Sequence, residues 1–271
     1  MSLTATTPGG GEFAAALRDI REGFRLSPVW GYLALRDIRA RYRRTLLGPF
    51  WIAGGTVFTS IGLALVFGGL FGQPLEVAVP YIASGIIAFT FIAALSFDAN
   101  AVMINAAPTI KALPLPHTFH LWRFAANAIL VFLHNLVAFI LLVLVITRAV
   151  PLSLVLIPAL MLVAAASLAW GFVISMVSAR FRDVQYMLIY VSLLAFFLTP
   201  IFWRLSDLPP ARQALMRMNP FLYMVELARK PMLGELPTAA DWGVTAGVLA
   251  TGLIVGFLTF MKSRRRLVFW V

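Results

Sequence analysis

The stretch FAANAILVFLHNLVAFILLVLVIT, residues 124–147, contains no Asp, Glu, Lys or Arg. A helix rises about 1.5 Å per residue and the hydrocarbon layer of a bilayer is about 30 Å thick, so roughly 20 such residues suffice for one crossing. Five further windows, 45–75, 77–97, 149–179, 184–203 and 242–261, are equally free of charge. The chain therefore reads as an all-α integral membrane protein with six transmembrane helices, at about 50–71, 78–97, 124–147, 151–178, 184–203 and 243–261. Too little of the 271 residues remains outside the bilayer for a soluble catalytic domain.

Composition adds a direction. The sequence is 61% hydrophobic and 12% charged with a formal charge of +11, which in a membrane protein bears on topology before nucleic acid, and no nucleic-acid partner is expected. Eight arginines precede the first span, from Arg18 to Arg44, and Lys262, Arg264, Arg265 and Arg266 follow the last. Lys111, Arg123, Arg180 and Arg182 lie between spans on that same side, whereas in 204–241 five basic residues are nearly cancelled by four acids. The positive-inside rule thus predicts a multi-pass protein with both termini cytoplasmic. The first apolar run follows forty-odd polar and basic residues, so no cleavable leader is expected. Without cysteine, disulfides, thiolate chemistry and Cys-ligated metals are excluded.

Residues 1–28 read as a disordered cytoplasmic tail, Gly-rich at 9–11, and 29–271 as the membrane domain. From Ser27-Pro28 onward, Leu35, Ile38, Tyr42 and Leu46 fall on one helical stripe among arginines, predicting an N-terminal amphipathic helix in the membrane interface, broken at Gly48-Pro49. Arg39, Arg41, Arg43 and Arg44 on that helix suit contact with membrane-lipid headgroups. Residues 106–123 are expected on the cytoplasmic side, yet carry Ile110, Leu113, Leu115, Phe119 and Trp122; a surface this apolar predicts a covering partner. In the external segment 204–241, Asn219-Pro220 starts a helix whose Phe221, Met224, Val225 and Ala228 share a face. It is too short to span, so it and its neighbours are expected to be short re-entrant helices between spans five and six.

Chemistry is sparse. His134-Asn135 in span three reads as a source of interhelical hydrogen bonds. Ser84 and His134 are the nearest approach to a rhomboid-type dyad, but the glycine before the serine is missing and the span order differs. No Gly-x-x-x-x-Gly-Lys-Ser/Thr loop is present, so the chain is read as no enzyme and carries no ATP site of its own. The three histidines have no metal-ligand spacing, and no metal or cofactor is expected. Asn105-Ala106-Ala107-Pro108 and Asn219-Pro220-Phe221 occupy the loops where an aquaporin has Asn-Pro-Ala, although neither is that motif, and an aquaporin-like channel stays as a remote alternative.

Two segments carry a family resemblance. Arg41-Tyr42-Arg43-Arg44-Thr45-Leu46-Leu47-Gly48-Pro49-Phe50-Trp51 resembles the Arg-Tyr-x-x-Ser/Thr-x-Leu-Gly-Pro-x-Trp segment of type-2 ABC exporter permeases that move polysaccharides. The Asn219-Pro220 helix, with Glu226, Arg229, Pro231, Gly234 and Pro237, is similar to that family's external loop. Ile110-Lys111-Ala112-Leu113-Pro114-Leu115-Pro116, His134-Asn135 and Arg264-Arg265-Arg266-Leu267-Val268-Phe269-Trp270 look most like the O-antigen (lipopolysaccharide) branch.

The resemblance implies a homodimer in a bacterial inner membrane with two copies of a cytoplasmic ABC ATPase, which hold the ATP and Mg. The cargo is then a lipid-linked polysaccharide, with teichoic acid, capsule or a drug as the same-architecture alternatives. It implies coupling to the ATPase through Ile110, Lys111, Leu113, Leu115, His117 and Phe119, and attraction of a pyrophosphate headgroup by Arg39, Arg41, Tyr42, Arg43 and Arg44. Trp51, Phe58, Tyr81, Phe89, Tyr186, Tyr190, Phe197 and Trp203 become candidate conduit aromatics, since ring stacking on sugars tolerates many orientations. Asn219, Phe221, Tyr223, Glu226 and Arg229 become the candidate external gate.

Overall fold

The computed structural model describes residues 10–41, 43 and 50–271, and among these it is helical with no strand. In chain order the helices are α1 (Gly10–Arg25), α2 (Ser27–Arg41), α3 (Phe50–Leu70), α4 (Leu75–Ser96), α5 (Val102–Asn105), α6 (Ala107–Ala112), α7 (His117–Thr147), α8 (Leu156–Arg180), α9 (Asp183–Leu198), α10 (Pro210–Met216), α11 (Pro220–Met232), α12 (Ala239–Ser263) and α13 (Leu267–Trp270). Five apolar stretches are long enough to cross a bilayer: Ala53–Leu70, Leu75–Asn105, His117–Thr147, Leu156–Arg180 and Ala239–Trp270.

Beyond Glu76 in its first turn, helix α4 carries no charge on any face, as expected of a helix that sits inside a bundle. It is buried along nearly its whole length and packs against α3, α7, α8 and α11. Helices α8 and α12 approach closely through small residues: a Cβ on Gly252 would stand 2.9 Å from the Ala169 Cβ. That contact makes van der Waals packing the glue, as expected where lipid offers no hydrophobic contrast. Trp170 donates to the Val248 carbonyl across the same pair, at 3.0 Å. Both ends of the described chain meet at one end of the bundle, where Phe13 of α1 stands edge-on to Phe257 of α12. We call this the terminal end and the other the far end.

Three expectations need correction. The fifth span was expected at 184–203, but α9 stops at Leu198; its 16 residues reach only about 24 Å. Pro200 is the cause, because the residue before proline avoids the helical region and proline offers no N–H. Thr199, Pro200 and Ile201 then turn inward and are buried. Counting charges could not see this break.

The tail expected over 1–28 contains α1, whose Ala16 and Asp19 are buried against the bundle. The run of glycines at its start conceals the stripe Phe13, Ala16, Ile20 that follows one turn later. In α2 the buried residues are Ala34 and Ile38, while Leu35 is exposed. Packing on α7, tied by an Arg123–Asp37 ion pair, rotates the helix away from the Leu35 stripe. Tyr42, Leu46 and Gly48-Pro49, expected to finish that helix, lie outside the described residues.

A candidate translocation site beside the re-entrant helix

Helix α11 starts at Asn219, whose side chain accepts from the Phe221 N–H at 2.9 Å and donates to the Thr199 hydroxyl at 3.1 Å. The N-cap thus also fixes α11 to the end of α9. Phe221 packs its ring against Phe89 and Phe97 of the central region, so the first turn of α11 reaches past the midpoint of α4. The face expected from the sequence is the buried one, with Met224, Val225 and Ala228 inside. The helix ends beyond Pro231, and Gly234 follows at φ +79°, a conformation only glycine adopts without strain.

Arg229 sits on this helix, 1% exposed. Its guanidinium donates to the Pro200 carbonyl at 2.6 Å and to Glu226 at 2.7 Å, and lies 4.1 Å from the centroid of the Tyr81 ring. Arg204 lies against the same ring at 4.9 Å, and the Tyr81 hydroxyl donates to the Trp203 carbonyl. Lys230 pairs with Asp241 of α12 at 2.7 Å and Asp241 also takes the Thr238 N–H, closing a capping box. The inward turn caused by Pro200 supplies the carbonyls that a buried cation needs. Burial without those partners would be prohibitive.

Around this network lies a cavity of 850 Å³ at the far end. Its walls carry four basic side chains, Arg204, Arg217, Arg229 and Lys230, against four acidic ones, Glu76, Glu226, Glu235 and Asp241. Tyr81 and Tyr223 add amphipathic surface. A second cavity of 360 Å³, toward the terminal end, is lined by Asp37, Arg41, Asp98, His120, Arg123 and Asn127 among others.

The sequence-predicted residues distribute unevenly over this frame. Of the gate set, Tyr223, Glu226 and Arg229 line the large cavity, whereas Asn219 caps the helix and Phe221 packs inward. Of the aromatics, Tyr81 lines the cavity with its ring already in contact with the guanidinium groups of Arg204 and Arg229. Phe89 is buried in the core against Phe196 and does not line the cavity. Trp51, Phe58, Tyr186, Tyr190 and Phe197 are exposed on the outer faces of α3 and α9, and Trp203 is half-buried.

At the terminal end, Leu113 is 52% exposed and Lys111 is exposed, but Ile110 and Phe119 are buried within the chain. Expecting all of them to meet a partner overlooked the fold of α6, which spends Ile110 on the cluster around Met103 and Leu267. Leu115 and His117 are half-buried. Arg39, Arg41 and Arg43 are exposed, while Tyr42 and Arg44 lie outside the described residues. Asn135 does accept across helices, from Thr56 at 3.1 Å, whereas among the described residues His134 bonds the Leu130 carbonyl of its own helix. Ser84 likewise donates to its own helix, at the Tyr81 carbonyl.

Sequence reading missed Gly85, Lys230, Asp241 and Asp19. Asp241 was legible, since Thr238-Ala239-Ala240-Asp241 has the spacing of a capping box. Nothing in the order of residues signals that Gly85 faces Arg229 across the bundle.

Residues 29–233 match the family described as ABC-2 type transporter. No curated protein matches the chain.

Proposed function

The chain belongs to the ABC-2 type transporter family and is a membrane permease subunit of an ABC transporter; from this footing we propose that its cargo is a lipid-linked polysaccharide of the O-antigen kind. Permeases of this family pair with a separate ATPase subunit. In our reading two copies of this chain join two such ATPases in a bacterial inner membrane, with the terminal end cytoplasmic. ATP and Mg are held by the ATPases, and Leu113 on the exposed tip between α6 and α7 seats in that partner.

The observation that carries the cargo is the charge balance of the 850 Å³ cavity, four basic side chains against four acidic. A polyanion such as teichoic acid calls for a cationic surface, which these balanced walls do not present. A neutral, polyhydroxylated chain has polar groups and apolar sugar faces, and walls that set paired charges and two tyrosines beside apolar side chains such as Val77, Leu205 and Leu222 support that cargo. The cavity lies at the end away from the ATPase and α11 forms one of its walls through Tyr223, Glu226 and Arg229, so displacement of that helix reshapes the cavity.

The test is ATP hydrolysis by the chain co-purified with a candidate ATPase in nanodiscs, with and without lipid-linked polysaccharide. Modulation of hydrolysis by the polysaccharide supports the reading. Equal response to an anionic polymer such as teichoic acid, or none to either, removes the polysaccharide assignment.

A further inference from the structure

Asp19 is an acid with an unusual set of partners. It is 3% exposed, on α1, and its carboxylate accepts from the backbone N–H groups of His117 and Thr118, both at 3.1 Å, and from the Thr118 hydroxyl at 2.9 Å. These are the first N–H groups of α7, which have no partner within their own helix and whose preceding residue, Pro116, provides no side-chain cap. Asp19 therefore caps α7 from another helix, where a negative charge is also favoured by the helix dipole. Gly23, one turn on, lies directly over the Thr118 hydroxyl, and any side chain there would collide with it. The root of the 113–116 loop is in this way fastened to α1.

The same carboxylate takes a further contact, from Arg264 at 3.3 Å. Arg264 directly follows α12, so the fastening includes the terminal end of that helix. At the far end of α12, Asp241 is held by Lys230 of α11. One helix is thus pinned by an ion pair at each end. The 23 steps along the chain from Asp241 to Arg264 make it roughly 35 Å long. Along its length α12 meets α8 closely, with Gly252 and Gly256 against Ala169, Trp170 and Phe172, and Trp170 bonds the Val248 carbonyl across the pair. That contact keeps α12 straight against its neighbour, and a helix is stiff along its axis, so the two ends of α12 shift as one unit.

We propose that α12 is a strut: Asp19 with Arg264 ties it to the root of the 113–116 loop, and Asp241 with Lys230 ties it to the re-entrant helix α11, so a displacement at either end reaches the other. The linkage goes beyond the exporter reading and does not depend on it, since it concerns the chain alone. If the exporter reading holds, the strut is a route from the ATPase-facing tip to the exit cavity that does not pass through α4.

Hydrogen exchange of the full chain in lipid nanodiscs, without ATPase or substrate, tests it. Arg264→Gln removes the tie to α12 while leaving the three α7 contacts of Asp19 in place. The expected result is several-fold faster exchange over 220–232, with 117–120 still protected and 50–70 unchanged. Arg264→Lys, which retains the cation, should exchange like the wild type over 220–232. Combining Arg264→Gln with Asp241→Asn should add nothing over 220–232 beyond the larger single effect. Changes confined to 10–25 and 260–271, or additive effects of the two substitutions, overturn the strut.

Discussion

The guanidinium of Arg229 fills the space that a side chain at position 85 would need: a Cβ on Gly85 would collide with Nη2 and stand 2.9 Å from the Ile201 carbonyl. Glycine on the central helix and arginine on the re-entrant helix are therefore one feature. Gly85→Ala forces either the buried arginine or the Pro200–Ile201 turn to move. Overpacking of this kind costs about 1–3 kcal/mol, so the variant should lose thermal stability in detergent, whereas Gly62→Ala, at an exposed helix glycine with open space around it, should not. An unchanged unfolding midpoint for Gly85→Ala would show that the two residues do not share that space.

Removing the cation tests the other half of the pair. Arg229→Met leaves Glu226 in a partly buried site with Lys230 only at 3.9 Å, and leaves the Pro200 carbonyl without its donor. The expected destabilisation is about 3–5 kcal/mol, the usual scale for breaking a buried pair by one partner. Arg229→Met with Glu226→Leu should recover part of it, because the unpaired carboxylate is then gone. Equal loss in the single and double variants would mean that the carbonyl contacts, not the ion pair, dominate.

Asp37 and Arg123 hold α2 on α7 by two short bonds of 2.6 and 2.8 Å, but both side chains are about a third exposed. Solvent screening limits such a pair to about 0.2–1 kcal/mol. Asp37→Asn should therefore shift stability little, the shift should shrink at high salt, and Asp37→Arg with Arg123→Asp should restore most of it. A salt-independent loss would assign the effect to packing instead.

Within the bundle, Thr56 and Asn135 form a bond between α3 and α7 at 3.1 Å. Measured interhelical bonds in membranes are worth about 0.6 kcal/mol on average and up to about 1.7. A double-mutant cycle of Thr56→Val and Asn135→Ala, read by unfolding in mixed micelles, should return a coupling in that range. A coupling near zero would place Asn135 among residues whose unfolded-state partners are as good.

How much of this was open to sequence reading depends on what kind of interaction made each feature. The crossings at α3, α4, α7, α8 and α12 follow from transfer free energy, which is a property of composition and is fully written in the chain. The face of α11 was legible for the same reason, since Met224, Val225 and Ala228 recur at helical spacing. Three local rules were visible but underweighted: Pro200 as a helix stop, Thr238 with Asp241 as a capping box, and the stripe of α1 after its glycines. The contacts of Asp19 with Thr118 and of Arg229 with Gly85 join residues far apart in the chain. They depend on how helices are rotated about their axes, and no periodicity encodes that. Phe89, named for the conduit, is buried in the core, because aromatic residues satisfy core packing and lining equally well in sequence and their spacing does not separate the two.

The loop that joins α6 to α7 offers a contrast between neighbours three residues apart. Ile110 is 8% exposed and packs into the cluster with Met103 and Leu267; Leu113 is half exposed at the tip. Ile110→Asp puts a charge into an apolar cluster, where it has no partner, and should cost several kcal/mol, seen as a lower unfolding temperature of the isolated chain. Leu113→Asp meets water on its exposed side and should leave that temperature nearly unchanged. Co-purification then separates fold from docking. In our reading Leu113→Asp loses the ATPase although the chain is intact, which Ile110→Asp cannot demonstrate because its fold is compromised first. If Leu113→Asp retains the ATPase and its hydrolysis responds normally to lipid-linked polysaccharide, the partner seats elsewhere, and the exposed basic residues beside the tip, Lys111 first, become the surface to probe.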